Sequence, residues 1–163
     1  MGFGSPISLI KKILLSTAEP VKIVLITGKN KRLYTKTKKA FSKNDNVVII
    51  GFTDQIDLYM DACDIILTKP GGLSSTEALV KNVPILHTSP IPGCETENAM
   101  FFKNHNMALV AFKEKEISLL TQELITNQEL QESIKESQRK NCFPDTANQI
   151  VKYIKNKIQS QSV

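Results

Sequence analysis

The sequence predicts an α/β protein of 163 residues, one domain built on a doubly wound parallel sheet with helices on both faces. Three observations carry this. Five short apolar runs rich in β-branched residues recur along residues 21–112, and most are continuous rather than alternating, as strands covered on both faces require. Helix-like segments alternate with them, the pattern of βαβ crossovers. Beyond residue 112 the strand signal stops and helical periodicity takes over. The chain therefore reads as a single unit over 1–163, an α/β core at 1–112 followed by C-terminal helices at 113–163.

In order along the chain, "MGFGSP" is a glycine loop leading into a helix at 6–17. Such loops normally follow a strand, and none precedes this one, so the sheet is expected to lack its first strand. The strands that follow are "VKIVLITG" (21–28), "NVVIIGF" (46–52), "DIILTK" (64–69), "VPILHTS" (83–89) and "MALVAF" (107–112). Helices are expected at 31–43, 54–62, 74–82 and 95–105. Then come "EKEISLLTQELI", "QELQESIKESQRK" and "TANQIVKYIKNKI", the last capped by Asp145 or Thr146 after Pro144. A sheet without its first strand has an exposed edge. That edge is expected to be covered by a neighbouring copy or by the C-terminal helix, because open edges invite pairing.

Composition excludes several classes. With 41% apolar residues the chain can bury a core, so wholesale disorder is excluded. No Trp and 6% aromatics leave no stacking platform for single strands, and no nucleic-acid partner is expected. The apolar runs are strand-sized, too short to span a membrane, and no signal-peptide pattern opens the chain, which points to the cytoplasm. Cys63, Cys94 and Cys142 lack metal-ligand spacing and read as reduced thiols; His87 and His105 are isolated and read as structural or surface residues. There is no Asp-x-Asp, so neither a metal nor another cofactor is expected. Residues 1–45 hold ten Lys/Arg against two acids, and the remainder eleven against fourteen. Lys31 to Lys43 recurs at helical spacing, which favours a solvated lysine-rich helix over a phosphate-facing surface.

Two stretches carry chemistry. In "TKPGGLSSTEAL" (68–79) a strand ends at Pro70, and Gly71 and Gly72 permit unusual dihedrals and close backbone approach. Ser74, Ser75 or Thr76 then caps a helix. A helix N-terminus at the carboxyl edge of a parallel sheet is where a phosphate binds best. Glu77 reads equally as a first-turn acid complementing the helix dipole or as an acceptor for a vicinal diol such as ribose. "SPIPGCETENAMFF" (89–102) follows the next strand and should lie beside the first motif, with Glu95, Glu97 and Asn98 opening a helix either as caps or as a grip on sugar hydroxyls.

Together, "TKPGGLSSTEAL…VPIL…PIPGCETENAMFF" resembles the C-terminal domain of glycosyltransferase family 28, in particular the processive diacylglycerol glucosyltransferases and monogalactosyldiacylglycerol synthases. The resemblance runs from the Gly2–Ser5 loop through Gly51 and Phe52 to about residue 112, and more loosely beyond. It implies the Rossmann-like, nucleotide-sugar-binding half of a GT-B enzyme. Phe52 and Thr53 would lie against uracil; Gly71, Gly72, Leu73, Ser74 and Ser75 would hold the diphosphate, with Gly4 and Ser5 opposite. Glu77 would take the ribose hydroxyls, and Cys94, Glu95 and Asn98 would border the sugar. Cys94 stands where the family usually has glutamine, and a thiol is a poor substitute in a bidentate hydroxyl contact, which leaves the sugar undecided.

The implied reaction is an inverting transfer of glucose or galactose from a UDP-sugar to a lipid such as diacylglycerol. The family keeps its acceptor site, general base and membrane contact in an N-terminal domain, so no catalytic residue is assigned in this chain. By itself the chain is expected to bind donor without transferring it, and the full-length protein to sit peripherally at the cytoplasmic membrane. Three other readings share the phosphate site: the donor subunit of a split N-acetylglucosaminyltransferase, a UDP-sugar epimerase, and a non-catalytic nucleotide-binding module.

Overall fold

The computed structural model describes residues 6–143 and 145–160. Helix α1 (Pro6–Ser16) opens it, followed by β1 (Ile23–Ile26), α2 (Lys31–Ala40), β2 (Val47–Ile50), α3 (Ile56–Asp61) and β3 (Ile66–Thr68). Then come α4 (Gly72–Val80), β4 (Ile85–Thr88), α5 (Cys94–Asn104) and β5 (Ala108–Ala111). Three helices end the chain, α6 (Glu114–Thr126), α7 (Gln128–Asn141) and α8 (Thr146–Ser160). Each expected strand is present, and every pairing is parallel.

The sheet comes in two pieces. β1 pairs with β2, Ile23 opposite Val47 and Ile26 opposite Ile50. β3, β4 and β5 pair in that order, with Ile85 between Ile66 and Ala108. No ladder joins β1 to β3. Helix α1 spans the two pieces through its apolar face: Leu9 and Ile13 pack with Leu86, Ala111, Ile117 and Leu124, while Ile10 packs with Phe41, Val47 and Ile49. Ile23 touches both clusters.

Strand β4 shows why its sequence is continuously apolar. Ile85 faces Ala78, Phe102 and Met107 on one side, and Leu86 faces α1, α6 and α7 on the other. Each such side chain contributes about 1.5–3 kcal/mol by leaving water. Gln138 of α7 is fully buried, and its Nε2 donates to the carbonyls of Val83 and Met107, both at 2.9 Å. It thereby ties α7 to the entrances of β4 and β5.

The C-terminal helix departs from expectation. Asp145 does stand at its start, with its carbonyl accepting from Gln149 N–H at 3.1 Å and its carboxylate from Asn148 Nδ2 at 2.5 Å. However, α8 has no buried residue, and Ile150, Val151, Tyr153, Ile154 and Ile158 are all exposed. The helix therefore does not cover an edge of the sheet. No described helix is long and apolar enough to cross a membrane.

Candidate functional site

The ends of β3 and β4 bring the two motifs together. After Thr68 the chain turns through Lys69 and Pro70, with Gly71 N–H donating to Lys69 O at 2.7 Å. Gly71 is the N-cap of α4, and its carbonyl accepts the first intrahelical bond from Ser75 N–H at 3.1 Å. The expected hydroxyl cap is absent. α4 starts at Gly72, two residues earlier than its sequence suggests, and no side chain caps it.

The three hydroxyl residues differ in their surroundings. Ser75 is fully buried, and its Oγ lies 2.9 Å from His87 Nε2 on β4. Its hydroxyl is thus drawn into the core and its N–H is spent on the helix. Thr76 Oγ1 donates back to Gly72 O at 2.8 Å and Leu73 O at 2.9 Å. Ser74 is exposed, as is Leu73. The N–H groups of Gly72, Leu73 and Ser74 precede the first intrahelical bond and, with no side-chain cap, point out of the helix end.

Gly71 and Gly72 are not there for unusual dihedrals. Gly71 has φ −74° and ψ 143°, open to any residue, and Gly72 is helical. What the two share is empty space: no atom lies within 4 Å of the position a Cβ would take on either. The second half of the sequence expectation, room for close backbone approach, is what the geometry provides. Glu77 is exposed and lies in the second turn of α4, so its role as a first-turn dipole acid falls away.

The loop of the second motif, 89–93, sits directly against this turn. Asn98 Nδ2 donates to Pro70 O at 3.0 Å, bridging α5 to the glycine turn across 28 residues of sequence. Gly93, the N-cap of α5, has φ +102°, a conformation that glycine alone takes readily. Glu95 accepts from Ile91 N–H at 2.9 Å, and its carboxylate is 3.6 Å from Lys69 Nζ. Thr96 Oγ1 donates to Ile91 O at 3.1 Å, which closes the loop on itself. Cys94 is an exposed free thiol at the first position of the helix, and Cys63 and Cys142 are also free.

Phe52 and Thr53 follow β2, in the other piece of the sheet. Phe52 is 67% exposed, with Lys29 Nζ 5.4 Å from its ring centroid, within reach of a cation–π contact. Phe52 and Lys29, together with Gly28, Lys31, Tyr34 and Gly51, line an open cavity of about 460 Å³ at the carboxyl ends of β1 and β2. Thr53 Oγ1 accepts from Gln55 N–H at 3.1 Å. Gly4 and Ser5 lie outside the described residues.

Two residues that the motifs did not single out enter the picture. Lys69 is the cation between the end of β3 and the glycine turn, and its place between strand and Pro-Gly-Gly is visible in the sequence. His87 is structural, as its isolation suggests, but it is the partner of Ser75, and its ring meets Phe102 edge-on at 5.1 Å. Burial pushes its imidazole down to about 4, so it is neutral at pH 7, and Nδ1 has no hydrogen-bond partner.

By fold and site this is a parallel α/β protein of the kind that takes ligands at the carboxyl edge of its sheet, against an open helix N-terminus. The chain belongs to glycosyltransferase family 28, whose C-terminal domain matches residues 5–160. It is 34% identical over 110 residues to a processive diacylglycerol beta-glucosyltransferase of Staphylococcus carnosus (strain TM300), covering 67% of this chain and 28% of that one. The Staphylococcus saprophyticus enzyme of the same description is 34% identical over 110 residues, 68% of this chain and 27% of the relative. The matched segment is thus under a third of either relative.

Among solved structures, Acinetobacter baumannii MurG superposes with a TM-score of 0.72 at 18% identity, over 96% of this chain and 47% of that one. A Staphylococcus aureus MnaA–UDP co-structure gives 0.76 at 20% identity, over 96% and 43%. Anabaena Alr3699/HepE in complex with UDP-glucose gives 0.67 at 17%, over 94% and 45%. These likenesses establish the fold, that of the C-terminal halves of GT-B glycosyltransferases.

Proposed function

We propose that the chain is the UDP-sugar-binding half of an inverting glycosyltransferase that transfers glucose or galactose to a lipid acceptor such as diacylglycerol. The observation that carries the reading is the Asn98–Pro70 bond, which holds a polar loop against an uncapped helix N-terminus. A diphosphate needs the second and a hexose next to it needs the first. Family membership and the diacylglycerol glucosyltransferase relatives support the substrate class.

In this reading the diphosphate lies over Gly71 and Gly72, where no side chain intervenes, and accepts from the N–H groups of Gly72, Leu73 and Ser74. Those dipoles are fixed before the reaction, so the charge that develops on departing UDP meets a preorganised positive end. Phe52 and Thr53 border uracil, Glu77 accepts from ribose, and Asn98 and Glu95 border the sugar beside Cys94. Ser75 contributes through its position rather than its hydroxyl, which His87 already holds. The attacking lipid hydroxyl and its general base belong to a partner domain at the membrane surface.

Calorimetry with UDP tests this, with ADP and inorganic phosphate as controls. UDP binds, ADP and phosphate do not compete, and Glu77→Ala weakens UDP by roughly ten- to a hundredfold, the loss of one charge-assisted bond. A wild-type chain indifferent to UDP overturns the reading. UDP binding that is insensitive to Glu77→Ala removes the ribose assignment.

A further inference from the structure

Lys69 and Glu95 stand on the two motifs, one on the phosphate side and one on the sugar side, and in the ligand-free chain they face each other at 3.6 Å. Both are partly exposed, with side-chain exposures of 32% and 27%. We propose that this ion pair is an exchange device: donor binding moves Lys69 from Glu95 to the diphosphate, and so frees Glu95 for the sugar hydroxyls. This rests on the donor reading above and goes beyond it by assigning Lys69 a role and by coupling the two ends of the donor.

The geometry supports the exchange. Lys69 is one residue from Pro70, whose carbonyl is held by Asn98, and its own carbonyl accepts from Gly71 N–H, so its backbone is fixed beside the open turn. Its four-carbon side chain remains the adaptable part. A partly exposed ion pair at 3.6 Å contributes little, on the order of a factor of five or less, so a diphosphate with two nearby negative charges outcompetes one carboxylate. Glu95 does not collapse when Lys69 leaves, because Ile91 N–H still holds its carboxylate at 2.9 Å. It is then a positioned acceptor without its cation, and a hexose hydroxyl satisfies it. UDP without its hexose takes Lys69 but brings no hydroxyl to Glu95, which makes the complete donor the preferred ligand.

A double-mutant cycle read by UDP calorimetry tests this. UDP carries no hexose, so lost hexose contacts do not enter the comparison. Lys69→Met weakens UDP by roughly ten- to a hundredfold. Glu95→Gln keeps the acceptor for Ile91 N–H but releases Lys69, and UDP binds about two- to fivefold tighter. The double variant matches Lys69→Met alone, because with no lysine there is nothing to release. Simple repulsion between Glu95 and the diphosphate predicts a different result, namely that Glu95→Gln tightens UDP equally in both backgrounds, and that result overturns the exchange. So does an unchanged or weakened UDP affinity in Glu95→Gln. In either case wild-type UDP binding leaves the donor reading standing, whereas wild type that ignores UDP overturns both. Thermal melting of each variant shows that all four chains are folded.

Discussion

The two pieces of the sheet are held in different ways. Around β3, β4 and β5 the contacts cross between elements: Asn98 reaches Pro70, Ser75 meets His87, and Gln138 bonds two carbonyls at the entrances of β4 and β5. Every residue of β4 is buried. Around β1 and β2 the strands are covered less completely, Val24 is 43% exposed, and the Phe52–Thr53 loop is held by its own Thr53–Gln55 bond. The two loops after β3 and β4 are thus fixed by the core beneath them, while the loop after β2 presents the exposed Phe52 ring over an open cavity. In the proposed donor pose, positioning is thereby concentrated at the diphosphate–hexose end, and the nucleoside end meets only an open surface.

The largest test of that contrast is stability. Leu86→Ala empties a site with no exposure between α1, α6 and α7, and costs about 2–5 kcal/mol in urea denaturation. Val24→Ala removes a half-exposed side chain on β1 and costs about 1 kcal/mol or less. Equal losses at the two positions erase the distinction between the pieces.

A second test uses the proton on His87. Its imidazole titrates near 6.5 when exposed and about 4 when folded, because burial disfavours the charged form. As pH falls through 6.5 the unfolded chain takes a proton that the folded chain refuses. The stabilising contribution is therefore complete above pH 6.5 and is lost progressively towards pH 4, amounting to about 3 kcal/mol over that window. His87→Gln lowers stability at pH 7 but flattens this segment of the profile. Denaturation curves at intervals from pH 7.5 to 4 measure both, and an equally steep profile in His87→Gln removes His87 as the cause.

Much of this was legible in the sequence. The five strands could be read because parallel strands buried on both faces need unbroken apolar runs, and "VPILH" provides one. The adjacency of the two motifs followed from their places after neighbouring strands, and the Asn98–Pro70 bond bears out that placement. The start of α4 was misread for a physical reason. Hydroxyl residues signal caps because they can reach the free N–H groups, but here Ser75 of α4 finds His87 of β4 and Thr76 bonds back along its own helix. A partner 12 residues away, on the strand beneath the helix, is invisible to local rules. Gln138 is similar: in a polar, charge-rich helix nothing distinguishes the one glutamine that turns inward. The runs of β1 and β3 do not themselves show where the sheet breaks, since each looks the same whether its far edge is paired or not.

The smallest expected stability effect separates residues that hold the loops from residues that leave room. Gly93 and Gly71 are the N-caps of neighbouring helices, and neither has an atom within 4 Å of its missing Cβ. They differ in backbone. Gly93 sits at φ +102°, so Gly93→Ala forces strain of about 1–3 kcal/mol on the loop that enters α5, whatever the space around it. Gly71 sits at φ −74°, where alanine is comfortable, so Gly71→Ala stays within about 0.5 kcal/mol of wild type. If glycine at 71 serves the fold, neither stability nor packing explains it. If it serves a ligand that lies against the bare turn, the new methyl occupies the space that ligand uses, and UDP affinity falls while the melting temperature does not. Measured on one preparation, a Gly71→Ala chain with wild-type stability and wild-type UDP affinity would place the diphosphate elsewhere.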